Sequence, residues 1–156
     1  MAGTETAERH LEGGDVIVVG VDGSHPSSEA LRWALAEARL RGTRLRVIHA
    51  YPELPHLTGS TGSEYYPQVE KEATESLEEA LREAGAADGD AAGVSLDASV
   101  VPGNAAEVLI EASHGAGLLV VGSRGLGGFR GLVMGSVSMQ CVHYAHCPVV
   151  VIRDRD

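Results

Sequence analysis

Five short segments of the chain are rich in apolar, mostly β-branched residues, and longer segments with a helical repeat separate them. The apolar segments cover residues 15–21, 44–50, 94–101, 117–121 and 148–152. Largely continuous apolar runs are typical of strands buried on both faces of a parallel sheet. The pattern therefore predicts five buried strands.

Helical periodicity fills the segments between these strands. Ser24 or Ser27 is suited to cap the first helix, and Gly42 is suited to end it. The second helix is predicted over residues 68–84, after a proline-rich loop that covers residues 51–67.

Two further helices are predicted in the second half of the chain. Asn104 is a candidate N-cap for the third helix, and the fourth begins after a glycine-serine pair at residues 135 and 136. The side of the fourth helix expected to face inward carries Val137, Cys141, Tyr144 and Ala145.

Strands and helices thus alternate strictly, which predicts one α/β domain over residues 15–153. Helical crossovers between successive strands imply a parallel sheet with right-handed connections. We expect a doubly wound, Rossmann-like, five-stranded sheet of order 3-2-1-4-5 with helices on both faces. Residues 1–14 are polar and glycine-punctuated, and are predicted to form a disordered tail.

Charge and composition narrow the possible functions. The formal net charge of −10 disfavours an extended nucleic-acid surface, which requires clustered Lys and Arg. The single lysine, Lys71, lies in an acidic helix, so a Walker A loop is excluded. The chain has no run of eighteen apolar residues and no signal-peptide pattern. We therefore expect a cytoplasmic protein that binds neither nucleic acid nor membrane.

A glycine-rich loop between the fourth strand and the fourth helix is the strongest local signal. Glycines allow backbone N–H groups to approach an anion, and a helix N-terminus carries unpaired donors and a positive dipole. Ser136 can add a hydroxyl donor, and Arg124 and Arg130 are the formal charges of the loop. This arrangement predicts a phosphate site.

The spacing within this loop is G-x2-G-x9-G-S, formed by Gly122, Gly125, Gly135 and Ser136. It resembles the ATP-binding signature of the universal stress protein family. The resemblance extends over nearly the whole chain, from about residue 15 to residue 153. It implies that the glycines and Ser136 cradle the phosphates of ATP, with Mg²⁺ as companion ion and Arg124 or Arg130 in support.

Asp22 ends the first strand, and the predicted strand order brings it beside the glycine loop. From its position alone, Asp22 either accepts hydrogen bonds from its own turn or holds a ligand hydroxyl or metal ion. The family resemblance favours the second interpretation, because Val21 and Asp22 match a segment that lies near adenine and ribose.

Further positions follow from the resemblance alone. Ala50 matches the end of the second strand, where backbone groups meet adenine, and Val101 matches a turn that walls the adenine pocket. Val121 matches a residue beneath the ribose and phosphates, and Val137 belongs to the phosphate-binding segment. The last strand, which begins at Pro148 and ends at Ile152, matches the strand through which family members commonly form homodimers.

The resemblance therefore implies a dimeric regulatory module that binds an adenine nucleotide in stress response. No general base is evident in the loop, so the sequence supports binding rather than efficient turnover. A slow ATPase or phosphotransferase and a nucleotide-independent interaction protein remain alternatives, as does a nucleotide other than ATP.

Two groups of residues have competing interpretations. Cys141, His143, His146 and Cys147 could suggest a zinc site, but their spacing fits core cysteines and surface histidines better. His49 lies in the second strand and is interpreted as a core histidine whose hydrogen bonds are satisfied. A dinucleotide site is disfavoured, because no G-x-G-x-x-G follows the first strand.

Overall fold

The computed structural model describes residues 16–53, 62–87, 90–91, 93–126, 131 and 133–154. The described residues form six strands and four helices, which alternate along the chain except that two strands follow each other after the second helix. In chain order the elements are β1 Val16–Gly20, α1 His25–Arg41, β2 Arg44–Tyr51, α2 Gly62–Glu83, β3 Asp90–Ala91, β4 Val94–Pro102, α3 Ala105–Ala112, β5 Leu118–Gly122, α4 Ser136–Tyr144 and β6 Val149–Ile152.

The strands form one sheet of order β3-β4-β2-β1-β5-β6. The five longer strands are parallel, and their order is the predicted 3-2-1-4-5. The predicted fold class is therefore confirmed. The two-residue β3 is an addition to the five predicted strands: it pairs antiparallel with β4 and so extends one edge of the sheet.

Side chains that alternate along the sheet supply two core layers. Ile17 and Val19 of β1 belong to the layer beneath α1 and α2, together with Leu31. Val18 faces the opposite layer and packs with Leu109 of α3 and other residues of that side. Because both faces of β1 are covered, its continuous apolar run is explained.

Caps fix the ends of α1 and α3 as predicted. The Ser24 hydroxyl accepts from the backbone N–H of Ser27, and Gly42 ends α1 with a left-handed φ of 66°. The Asn104 side chain accepts from the N–H of Glu107 at 3.2 Å. These contacts fix where each chain segment leaves the sheet.

Two predictions about helices are wrong. α2 begins at Gly62, so Pro67 lies inside a helix rather than at the end of a loop. Pro67 is the sixth residue of α2, so it lacks the N–H that would donate within the helix at that position, and the packing of Ala73 and Leu77 further along offsets this loss. In α4, Cys141 is buried as predicted, but Tyr144 is 66% exposed.

The predicted tail, residues 1–14, and residues 54–61 of the predicted loop lie outside the described residues. Among the helices that the structure does describe, none is both long and apolar enough to cross a membrane.

Candidate functional site

A cavity of about 560 Å³ opens at the carboxyl ends of β1 and β5. These strands are neighbours at the centre of the sheet, and the connections that follow them pass to opposite faces. Such a switch point is where open α/β sheets leave a crevice for ligands. The cavity is large enough for a nucleotide-sized molecule.

Ten of the eleven residues predicted to form the site line this one cavity. Val101 is the exception: it is half-buried and packs against the core layer that contains Val18 and Leu109. The ten lining residues are Val21, Asp22, Ala50, Val121, Gly122, Arg124, Gly125, Gly135, Ser136 and Val137.

The Asp22 carboxylate ties β1 to the glycine loop. Its Oδ1 accepts hydrogen bonds from the backbone N–H of Ser24, at 2.9 Å, and from the Ser24 hydroxyl. Its Oδ2 accepts from the backbone N–H of Leu126 at 3.2 Å. The turn interpretation of Asp22 is thus observed, and the carboxylate also holds the loop beyond that turn.

Two glycines of the loop lie too close to neighbouring atoms to carry a side chain. A Cβ on Gly122 would lie 2.8 Å from the carbonyl carbon of Pro26 in the first turn of α1. A Cβ on Gly125 would lie 2.6 Å from Oδ2 of Asp22. Packing therefore also requires Gly122 and Gly125 of the spacing that suggests a phosphate site.

The Ser123 carbonyl connects the two ends of the glycine loop. It accepts from the Gly135 N–H at 2.6 Å, and the buried Ser138 hydroxyl lies 3.0 Å from the same oxygen. The Ser123 N–H in turn donates to the Ile152 carbonyl of β6 at 2.8 Å. The loop is thereby closed at its base and anchored to the sheet.

The N-terminus of α4 differs from those of α1 and α3. Its N-cap is Gly135, and no side chain of the described residues caps it, whereas Ser24 and Asn104 cap the other two helices. Ser136, Val137 and Ser138 line the cavity from this end. Backbone donors of an uncapped helix start are suited to an anion.

The rest of the cavity is mainly apolar, with one charge of each sign among its described lining residues: Asp22 and Arg124. The neighbouring candidate, Arg130, lies outside the described residues. Sequence reasoning missed seven lining residues, which it placed in core faces or caps or did not consider. They are Gly20, Ser27, Ile48, Ala105, Leu109, Leu126 and Ser138.

His49 is not the satisfied core histidine that the sequence suggests. Its Nδ1 is buried and has no hydrogen-bond partner among the described residues. Burial lowers the pKa of His49, and the negative charge of Asp22 opposes that shift. His49 lies on the same side of β2 as Leu45 and Val47, which belong to the layer beneath α1 and α2, and no described residue there bonds to its Nδ1.

The two cysteines near the C-terminus are buried or partly buried, and one of the nearby histidines stacks on another ring. Burial raises the pKa of the Cys141 thiol to about 11 and also raises that of Cys147. The His146 ring stacks on His114 with ring centroids 3.6 Å apart. Within the part of the chain that is described, no three His, Cys, Asp or Glu side chains are placed to share a metal ion.

Comparison with known sequences identifies a single family over almost the whole chain. The model of the universal stress protein family matches residues 14–153. A universal stress protein of Mycolicibacterium smegmatis is 33% identical over 144 residues, which are 90% of this chain and 48% of that protein. One of Thermus aquaticus is 36% identical over 139 residues, covering 88% of this chain and 97% of that protein. The chain spans about half the length of the mycobacterial relatives it matches.

Solved structures share the fold. UspA of Lactobacillus plantarum is 20% identical with a TM-score of 0.77, covering 88% of this chain and 97% of its own. A universal stress protein in complex with cAMP is 24% identical with a TM-score of 0.64, covering 88% and 96%. A family protein of Arabidopsis thaliana with AMP bound is 22% identical with a TM-score of 0.52, covering 90% and 92%.

The fold and the family match over residues 14–153 agree. This chain belongs to the universal stress protein family.

Proposed function

We propose that this chain binds ATP together with Mg²⁺ in the cavity between β1 and β5, and acts as a dimeric regulatory module. The observation that carries the proposal is the start of α4, which opens on the cavity without a side-chain cap from the described residues. The complexes of two structural neighbours with cAMP and AMP support an adenine nucleotide.

The phosphates would lie against the glycine loop and the start of α4. Gly122, Gly125 and Gly135 leave the backbone accessible there, and the first N–H groups of α4 carry the positive end of its dipole. Ser136 is exposed at this point and offers a hydroxyl, while Arg124 supplies a positive charge. These are donors suited to phosphate oxygens.

The nucleoside would occupy the apolar part of the cavity. Val21, Ile48, Ala50 and Leu109 form its wall, which suits the faces of a purine ring. Asp22 stands between this wall and the glycine loop, and beyond its three hydrogen bonds with Ser24 and Leu126 its Oδ2 retains one lone pair for a ribose hydroxyl. Val101 would act indirectly, from the layer beneath.

Mg²⁺ fits the donors of this cavity as an ion carried by the nucleotide. Mg²⁺ is usually held by phosphates and water with one or two carboxylates. Asp22 is the carboxylate among the described lining residues, and the Ser136 hydroxyl is a second oxygen donor. Mg²⁺ would supply charge neutralisation, since Arg124 is the one described cation in the lining.

The dimer would form along β6, which lies at the edge of the sheet beside β5. An edge strand can pair with a second chain. Met139 and Val142 of α4, the helix before β6, are large apolar side chains that are about half exposed. A second copy would cover them.

Calorimetric titration with ATP, in the presence and absence of Mg²⁺, tests the binding function. We expect saturable binding by the unmodified chain and, in a Ser136→Ala variant, a loss of about tenfold in affinity, since a hydrogen bond to a charged group disappears. Ser28→Ala is the matched control, because Ser28 lies on α1 and does not line the cavity.

Two results would overturn the proposal: no binding at millimolar ATP, or equal affinities of the Ser136→Ala and unmodified proteins. Phosphate release measured in the same samples would identify a slow ATPase instead. If no nucleotide binds, the better interpretation is that the chain is a nucleotide-independent interaction protein.

A further inference from the structure

The Asp154 carboxylate lies between two basic side chains that belong to distant parts of the chain. Its Oδ1 is 3.0 Å from Nδ1 of His25, in the first turn of α1. Its Oδ2 is 3.9 Å from Nη2 of Arg124, which lines the cavity. Asp154 lies two residues past β6 and just beyond the family match, which ends at residue 153.

We propose that Asp154 determines how many phosphates the site favours, by competing with the nucleotide for Arg124. This inference rests on the proposed nucleotide-binding function and specifies the ligand of that same site. Asp154 weakens the binding of a triphosphate more than that of a monophosphate.

The distances and exposures of these side chains explain how Arg124 can exchange Asp154 for a phosphate. The Arg124–Asp154 distance is that of a loose ion pair rather than a hydrogen bond, so the guanidinium can leave for a stronger partner. The Asp154 side chain is only 18% exposed and that of Arg124 27%, so water screens the pair less than a fully exposed one. His25 holds the other carboxylate oxygen and keeps Asp154 in place when Arg124 moves.

Two effects of Asp154 on a phosphate chain have the same sign. Its charge partly neutralises Arg124, and it also repels phosphate oxygens that approach the glycine loop. Both effects grow with the number of negative charges on the ligand. A monophosphate brings fewer charges to the site, and it is therefore less affected.

Titrations of AMP and ATP, each with Mg²⁺, into the unmodified chain and an Asp154→Asn variant test the inference. We expect ATP affinity to rise about two- to fivefold in the variant, with a smaller change for AMP, as befits a partly exposed ion pair. In an Arg124→Gln background the same Asp154→Asn change should have a smaller effect, because the shared partner is gone.

Asp97→Asn is the matched control. It removes the same charge from a similar loose pair, with Arg46 at 3.7 Å, and neither residue lines the cavity. It should leave the ratio of the AMP and ATP dissociation constants unchanged, which excludes a general effect of net charge. His25→Gln, which loosens Asp154 without removing it, should change the ratio in the same direction but less.

An unchanged or weaker ATP affinity in Asp154→Asn, or equal changes for AMP and ATP, overturns the inference while leaving nucleotide binding in place. If the unmodified chain binds neither nucleotide, the proposed function itself fails, and the inference fails with it.

Discussion

At the scale of single residues, Asp22 and the glycines around it already make close contacts within the chain. A ligand in the cavity would bind in addition to those contacts. Asp22 accepts three hydrogen bonds from Ser24 and Leu126, and a Cβ on Gly125 would meet its carboxylate. Loss of nucleotide binding after substitution of Asp22 or Gly125 would therefore not by itself show ligand contact. Substitutions at Ser136 and Asp154 are more informative, because neither side chain supports the loop backbone through a described hydrogen bond.

Gly122→Ala tests the packing requirement. The added Cβ would meet the backbone of Pro26, which cannot move without shifting α1, so we expect the free energy of unfolding to fall by about 1–3 kcal/mol. Urea denaturation measures this. Gly135→Ala is the control, since its Cβ would make an ordinary 3.5 Å contact with Arg124, and it should cost less than about 1 kcal/mol. Equal losses in the two variants would contradict the assignment.

Cys141 gives the stability a specific dependence on alkaline pH. Burial raises its pKa from 9.0 to about 11, so the unfolded chain loses this proton first as pH rises. The stability contributed by the neutral thiol is complete below pH 9 and declines between pH 9 and about 11. Unfolding curves of a Cys141→Ala variant should decline less over that interval. Parallel pH profiles would show that Cys141 ionises in the folded chain as it does when unfolded.

At the scale of elements, the glycine loop joins β5 to α4, and hydrogen bonds connect the two ends of the loop. The Ser123 carbonyl receives the Gly135 N–H and lies within hydrogen-bonding distance of the Ser138 hydroxyl, while the Ser123 N–H binds β6. Closure of this kind holds backbone donors in position before a ligand arrives, which reduces the entropy lost on binding.

Ser138→Ala should loosen the connection between the two ends of the glycine loop. The buried hydroxyl lies 3.0 Å from both the Ser123 and Gly135 carbonyls, and its removal leaves these acceptors with fewer partners. We expect a loss of about 1 kcal/mol in stability and faster amide hydrogen exchange at Gly135. Ser136→Ala, two residues before Ser138 in α4 and exposed, should leave that exchange rate unchanged. Identical exchange in both variants would show that Ser138 does not close the loop.

Elements with a uniform apolar or helical pattern are predicted from the sequence. Elements that depend on contacts with other segments of the chain are missed. The five apolar runs predicted the parallel strands, because continuous β-branched segments have few other places in an α/β fold, and the strand order followed from the doubly wound architecture. The start of α2 was missed because Pro67 was treated as a boundary, whereas the helix continues through this proline and is stabilised by packing further along. The β3 strand pairs over two residues, too few to leave a periodic signal.

The same contrast applies to the cavity. Local motifs and the family resemblance located ten lining residues, since glycine loops and strand ends are contiguous in sequence. Leu109 and Ala105 were missed because a helix face that lines a cavity has the same apolar pattern as one that fills a core. Asp154 was missed because its contact with His25 spans 129 positions in sequence.

At the scale of the whole molecule, the chain carries a formal charge of −10 and yet presents Arg124 and the start of α4, which no described side chain caps, at one cavity. Local donors can bind an anion despite an unfavourable net charge, and Mg²⁺ would reduce the remaining repulsion. The open edge at β6 lies on the same half of the sheet, beside the strand that leads into the glycine loop.

Val142→Arg tests the proposed dimer. Val142 is 49% exposed on α4, so a charge there should leave the fold intact but prevent burial against a second copy. We expect the variant to sediment as a monomer where the unmodified chain sediments as a dimer. Leu40→Arg, on the exposed end of α1, is the control and should not change the sedimentation. A Val142→Arg protein that remains dimeric would place the interface elsewhere.

The most direct test of nucleotide binding is a titration of ¹⁵N-labelled protein with Mg-ATP, followed by amide chemical shifts. We expect saturable shifts centred on Gly122, Gly125, Gly135 and Ser136, with smaller changes at Val21 and Ala50 and none along the exposed face of α2. Saturable shifts confined to another surface would contradict the assignment of this cavity, and a spectrum unchanged at millimolar Mg-ATP would contradict nucleotide binding itself.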